Sequence, residues 1–119
     1  MFNYTARDVM RKAIAVDPGR TVAHGKLLME QMQTDCLYVS GKDISNGLFY
    51  KSDITDDNLK NIIADFAEPC KVSVVSDSDL AYVLHLLEKE QLYSLLVMEQ
   101  GKCTGIITRD TLRKDGFIH

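Results

Sequence analysis

The feature that most constrains this chain is that its sequence is written twice. Aligning Gly47 with Gly105 sets a shift of 58 positions (105 − 47). At that shift, without a gap, Val16 falls on Val74, Ala23 on Ala81, Leu28 on Leu86, Glu30 on Glu88, Gln33 on Gln91, Leu37 on Leu95 and Val39 on Val97. The matched stretches are residues 14–54 and 72–112. A small supersecondary unit cannot cover both faces of its own sheet, so a duplicated unit is expected to bury its apolar surface against its copy.

Local patterns give the content of each copy. Thr5-Ala6-Arg7-Asp8 has capping-box spacing and predicts a short helix over residues 5–10. Ala13-Ile14-Ala15-Val16 is an apolar run closed by Asp17-Pro18-Gly19, which reads as a strand and a turn. Val22, Leu28, Met29 and Met32 recur near helical spacing up to Gln33, with Thr21 or Arg20 near the cap and both methionines as core filler. Cys36–Val39 and Gly47–Tyr50 read as strands joined across residues 40–46. Leu59, Ile62, Ile63 and Phe66 fall at i, i+3, i+4 and i+7, which predicts an amphipathic helix over residues 56–66.

Pro69 ends that helix and the series begins again. Residues 71–75 alternate as a strand, and Leu80, Val83, Leu84 and Leu87 form one helical stripe capped by Asp77 or Ser78. Residues 95–98 and 105–108 read as strands, and Arg109–Lys114 as a closing helix with Gly116 as its stop. The expected class is α/β: two β-α-β-β-α repeats, residues 1–60 and 61–119, packed about a pseudo-two-fold axis that creates two related clefts.

Composition narrows the function. The chain has 119 residues, 45% hydrophobic and 26% charged, enough for a real core and without the bias of a disordered segment. Residues 1–10 are polar where a secretory signal would be apolar, and no apolar run approaches the roughly 18 residues of a membrane span. A cytoplasmic protein without membrane insertion is expected. The net charge of −3 and scattered basic residues argue against nucleic acid as a partner. Cys36, Cys70 and Cys103 form no C-x-x-C pair and read as reduced thiols. His24, His85 and His119 have neither metal-ligand spacing nor an adjacent carboxylate motif, so no catalytic set is expected.

Three strings carry a family resemblance: Ala6-Arg7-Asp8-Val9-Met10 followed by Ala15-Val16-Asp17-Pro18, the helix over residues 21–32, and Gly105-Ile106-Ile107-Thr108-Arg109. Together with the duplication they resemble a tandem pair of CBS (cystathionine β-synthase) domains, the Bateman-type module. The resemblance implies a non-catalytic regulatory module that senses AMP, ADP, ATP or S-adenosylmethionine and pairs into a homodimer. It also implies that a regulated enzyme or transporter is a partner.

The family's ligand motif is Gly-x-apolar-Thr/Ser-x-x-Asp, the hydroxyl meeting phosphate and the carboxylate the ribose. The first copy, Gly47 to Asp53, keeps Asp53 but has Tyr50 at the hydroxyl position. The second, Gly105 to Thr111, keeps Thr108 but has Thr111 at the carboxylate position. Losing a hydrogen bond to a charged group weakens binding by roughly 10- to 150-fold. Asp110 stands one residue early, about 100° away around a helix. Lys51 and Arg109 align with each other at a place suited either to a phosphate or to solvated charges at a helix start. The candidate ligand residues are therefore Ile14, Tyr50, Lys51 and Asp53 in the first copy, and Val72, Thr108, Arg109, Asp110 and Thr111 in the second. At most one nucleotide site is expected. The alternatives are a dimerisation or interaction module with no nucleotide, or a regulatory segment of a transporter ATPase or metabolic enzyme.

Overall fold

The computed structural model describes residues 3–41 and 43–119; Met1, Phe2 and Lys42, the last within the expected 40–46 connection, lie outside the described residues. The elements in chain order are α1 (Ala6–Val9), β1 (Arg11–Lys12), β2 (Ala15–Val16), α2 (Val22–Met32), β3 (Cys36–Val39), β4 (Gly47–Tyr50) and 3-10 turns at Lys51–Asp53 and Ile63–Asp65. They continue with β5 (Glu68–Pro69), β6 (Ser73–Val75), α3 (Leu80–Lys89), β7 (Ser94–Glu99), β8 (Lys102–Thr108) and α4 (Arg109–Lys114). Among the described residues no helix is long and apolar enough to cross a membrane.

Two four-stranded sheets result, with strand orders β2-β3-β4-β5 and β1-β8-β7-β6. In each, the opening strand of the repeat runs parallel to the next one, β2 with β3 and β6 with β7, because a helix carries the chain back between them. The following pair, β3 with β4 and β7 with β8, is antiparallel.

The compact units do not follow the 1–60 and 61–119 division. One comprises Ile14–Pro69, the other the chain up to Ala13 together with Cys70–His119. The reason is a reciprocal exchange of the segments that lead into each copy. The Val22 amide donates to the Asn61 carbonyl (2.8 Å) in one unit, and the Leu80 amide to the Tyr4 carbonyl (2.9 Å) in the other. Likewise Ile63 N–H donates to the Arg20 carbonyl and Ala6 N–H to the Ser78 carbonyl, both at 2.8 Å. β5 then pairs with β4, Glu68 opposite Leu48, as β1 pairs with β8, Arg11 opposite Ile106. The leading segments match at 57 positions (61 − 4), one fewer than the rest.

The same exchange removes the helix expected over residues 56–66. The Leu59 and Asn61 carbonyls accept from Ala23 and Val22, amides in the first turn of α2 that have no partner within the helix. Asn58 further locks the turn, its Nδ2 donating to the Asp53 carbonyl (2.7 Å) and its Oδ1 accepting from the Thr55 amide (3.0 Å). Of the apparent stripe only Ile63 is fully buried, while Ile62 is 40% exposed.

The core of the Ile14–Pro69 unit is Val16, Val22, Met29, Leu37, Val39, Phe49 and Ile63. Gly25 permits it: a Cβ there would come within 3.0 Å of Ile63 Cδ1 and 3.3 Å of Phe49 Cε2. The equivalent position in the other copy is Val83, fully buried beside Ala6, Val9, Leu87, Leu95, Val97, Ile107 and Leu112. Met32, expected as core filler, is 47% exposed on the outer side of α2. Asp79, one residue past the expected caps, occupies the N-cap of α3.

Candidate functional site

Both repeats end their third strand in a tight turn closed by its own side chains, and here seven of the nine candidate residues lie. In the first copy Tyr50 ends β4, and its amide donates to Asp53 Oδ2 at 3.1 Å. Asp53 is half-buried, and its other carboxylate oxygen accepts no hydrogen bond from any described residue. In the second copy the aligned Thr108 amide donates to Thr111 Oγ1 (3.4 Å), and the Thr111 amide donates to Thr108 Oγ1 (3.1 Å). Thr111 Oγ1 also donates to the Thr108 carbonyl at 3.1 Å. Thr111 thus performs the capping that Asp53 performs, but its hydroxyl is spent within its own turn, where a carboxylate would keep an acceptor to spare.

The remaining candidates are placed as follows. Ile14 and Val72 enter their sheets at equivalent points, and their carbonyls accept from Tyr38 (2.9 Å) and Leu96 (3.2 Å). Asp110 is exposed and pairs with Arg113 at 2.8 Å. A hydrogen bond from Tyr93, then that from Arg113, holds its carboxyl below the usual range. The Arg109 guanidinium turns away from the motif: Nε donates to the Leu92 carbonyl (2.6 Å) and Nη2 to the Leu87 carbonyl (2.8 Å). Lys51 is exposed, and its ammonium has no hydrogen bond or ion pair with any described residue. Tyr50, Lys51 and Asp53 are brought together on one turn, as are Thr108, Arg109, Asp110 and Thr111 on another.

A pocket of about 320 Å³ lies in the Ile14–Pro69 unit against the C-terminal end of α2. It is lined by Lys26, Met29, Glu30 and Gln33 of α2, by Thr34 and Asp35, and by Lys51, Ile54, Thr55 and Asp56. Of the candidates only Lys51 is among them. Sequence reasoning missed the rest because they belong to no motif. The available signal was the alignment of Lys51 with Arg109, a cation of different reach and geometry in each copy.

Elsewhere the polar groups are conventional. Cys36 is buried, Cys70 and Cys103 are half-buried, and burial pushes the latter two thiols up. His24, His85 and His119 are exposed, and the described residues hold no group of three His, Cys, Asp or Glu side chains arranged for a metal.

The CBS-domain family model matches residues 63–115. No curated protein matches this sequence. Among solved structures, an uncharacterized conserved protein from Pyrococcus horikoshii superposes with a TM-score of 0.76 at 22% identity, over 97% of this chain and 93% of that one. A hemolysin-like protein containing a CBS domain, from Oenococcus oeni, gives 0.72 at 24% identity, over 98% and 92%. The cytosolic domain of the Mg2+ channel MgtE, solved in complex with ATP, gives 0.69 at 22% identity, over 91% of this chain and 47% of that one. Residues 63–115 of this chain therefore match the CBS-domain model, and the chain carries the fold of a CBS-domain protein over nearly its whole length.

Proposed function

We propose that the protein is a non-catalytic regulatory module that binds an adenosine-type nucleotide at no more than one site, formed by the first copy. The observation that carries this reading is the asymmetry of the two turns. Asp53 keeps a carboxylate oxygen available for ribose hydroxyls beside the exposed Lys51, whereas Thr108 and Thr111 consume each other's hydrogen bonds. Arg109, the cation of the second copy, is held by two carbonyls and is withdrawn from any phosphate. The ATP complex of the MgtE cytosolic domain supports the ligand class. In this reading the module works in the cytoplasm as a homodimer and passes its ligand state to an enzyme or transporter.

The test is a thermal-shift series with AMP, ADP, ATP and S-adenosylmethionine. A ligand at about 100 times its dissociation constant adds roughly 2.7 kcal/mol, a rise on the order of 10 °C for a chain of this size. Asp53→Ala removes that rise and Thr111→Ala retains it. If none of the four moves the midpoint at millimolar concentration, the chain is an interaction module without a nucleotide.

A further inference from the structure

The two copies differ in what fills the space below the C-terminus of their crossover helix. Both helices end alike, with a glutamine in the left-handed region (Gln33 φ 54°, Gln91 φ 52°). The next amide then reaches back to the helix, Thr34 to the Met29 carbonyl at 3.0 Å and Leu92 to the Leu87 carbonyl at 2.9 Å. Met29, Thr34 and Lys51 align with Leu87, Leu92 and Arg109 at the 58-residue shift. In the second copy the Arg109 guanidinium lies on the Leu87 and Leu92 carbonyls. In the first, Met29, Thr34 and Lys51 line the open pocket of about 320 Å³.

We propose that this pocket receives a small guanidinium ligand that also carries a carboxylate, seated where Arg109 places its own guanidinium in the other copy. Three features define the class. The Thr34 carbonyl, counterpart of Leu92, accepts no hydrogen bond from any described residue, and the end of a helix favours a cation. Glu30, Asp35 and Asp56 supply acids around that seat, outnumbering the lysines. Lys26 on α2 supplies a cation for the ligand's carboxylate. Because the Met29 carbonyl is already shared by the Gln33 and Thr34 amides, recognition falls chiefly on the Thr34 carbonyl and the acids. A planar fork of donors suits this set, whereas the compact ammonium of a lysine does not span it.

This proposal does not rest on the nucleotide reading. L-arginine is the probe and L-lysine its equally charged control, titrated into the full-length protein and followed by amide chemical shifts. Saturable shifts are expected at Glu30, Thr34 and Asp35 with L-arginine, and at least tenfold weaker binding with L-lysine. Lys51→Arg supplies the guanidinium internally and should weaken L-arginine binding at least tenfold while raising the melting midpoint. Glu30→Gln weakens it without filling the pocket. Equal responses to both amino acids, no saturation by 10 mM, or unchanged binding to a folded Lys51→Arg protein would each overturn the proposal.

Discussion

Arg109→Met isolates the difference between the copies, because methionine keeps much of the stem and deletes only the guanidinium. Two hydrogen bonds are lost, 2.6 Å to the Leu92 carbonyl and 2.8 Å to the Leu87 carbonyl. A hydrogen bond with one charged partner contributes about 1.5 to 3 kcal/mol. The full sum does not apply, since Arg109 is half-buried and the Leu87 carbonyl keeps its bond from the Leu92 amide. A loss of about 2 to 3 kcal/mol follows. At about 2.1 cal/mol/K per residue, the unfolding entropy of 119 residues is about 0.25 kcal/mol/K, so the midpoint falls by about 8 to 12 °C. The matched change Lys51→Met removes an ammonium with no partner among the described residues and should remain within about 0.5 kcal/mol, or about 2 °C. Thermal unfolding by circular dichroism compares the two directly. Equal shifts, or a fall below 2 °C for Arg109→Met, would refute the claim that one copy fills this seat and the other leaves it open.

Three further outcomes follow from the same geometry. Gly105→Ala puts a methyl group against Met10, whose Cγ and Cβ would stand 2.8 and 2.9 Å away, and should cost about 1 to 3 kcal/mol. Adding Met10→Ala should recover part of that loss in denaturant unfolding, and a double variant no better than the single one contradicts the contact. The hydrogen bonds of Arg7 to Glu99, Tyr93 to Asp110 and Arg11 to Asp115 hold these carboxyls below their ordinary values of 4.5, 3.8 and 3.8. Their stabilisation is complete above those values and disappears as pH falls through the lower, folded ones. All are surface groups, so salt should flatten this acid limb in a pH series of unfolding midpoints. Burial raises the Cys70 and Cys103 thiols, so alkylation at pH 7, followed by mass spectrometry, should be slower in the native protein than in urea.

Much of the fold was legible because its signals are local. β3, β4 and the α3 stripe of Val83 and Leu87 follow from apolar runs and period, and the repeat reinforces each with a second instance. The failures have a common physical origin in backbone groups used at long range. The stretch over residues 56–66 has helical spacing, yet its carbonyls are committed to the first turn of α2. β1 and β5, two residues each, are too short to show alternation and exist because an edge of the opposite copy's sheet accepts them. The candidate site was legible as a motif but not as geometry. Sequence could align Lys51 with Arg109, but it could not reveal that Arg109 turns toward the Leu87 and Leu92 carbonyls. Nor could it reveal that Thr111 satisfies its turn unaided.

The proposed single nucleotide site depends on the first copy's carboxylate. Isothermal titration of the full chain with ATP tests it most directly through the number of sites. One molecule per chain is expected, with binding lost in Asp53→Ala and retained in Thr111→Ala. Two equivalent sites per chain, or unaltered binding to Asp53→Ala, would contradict it.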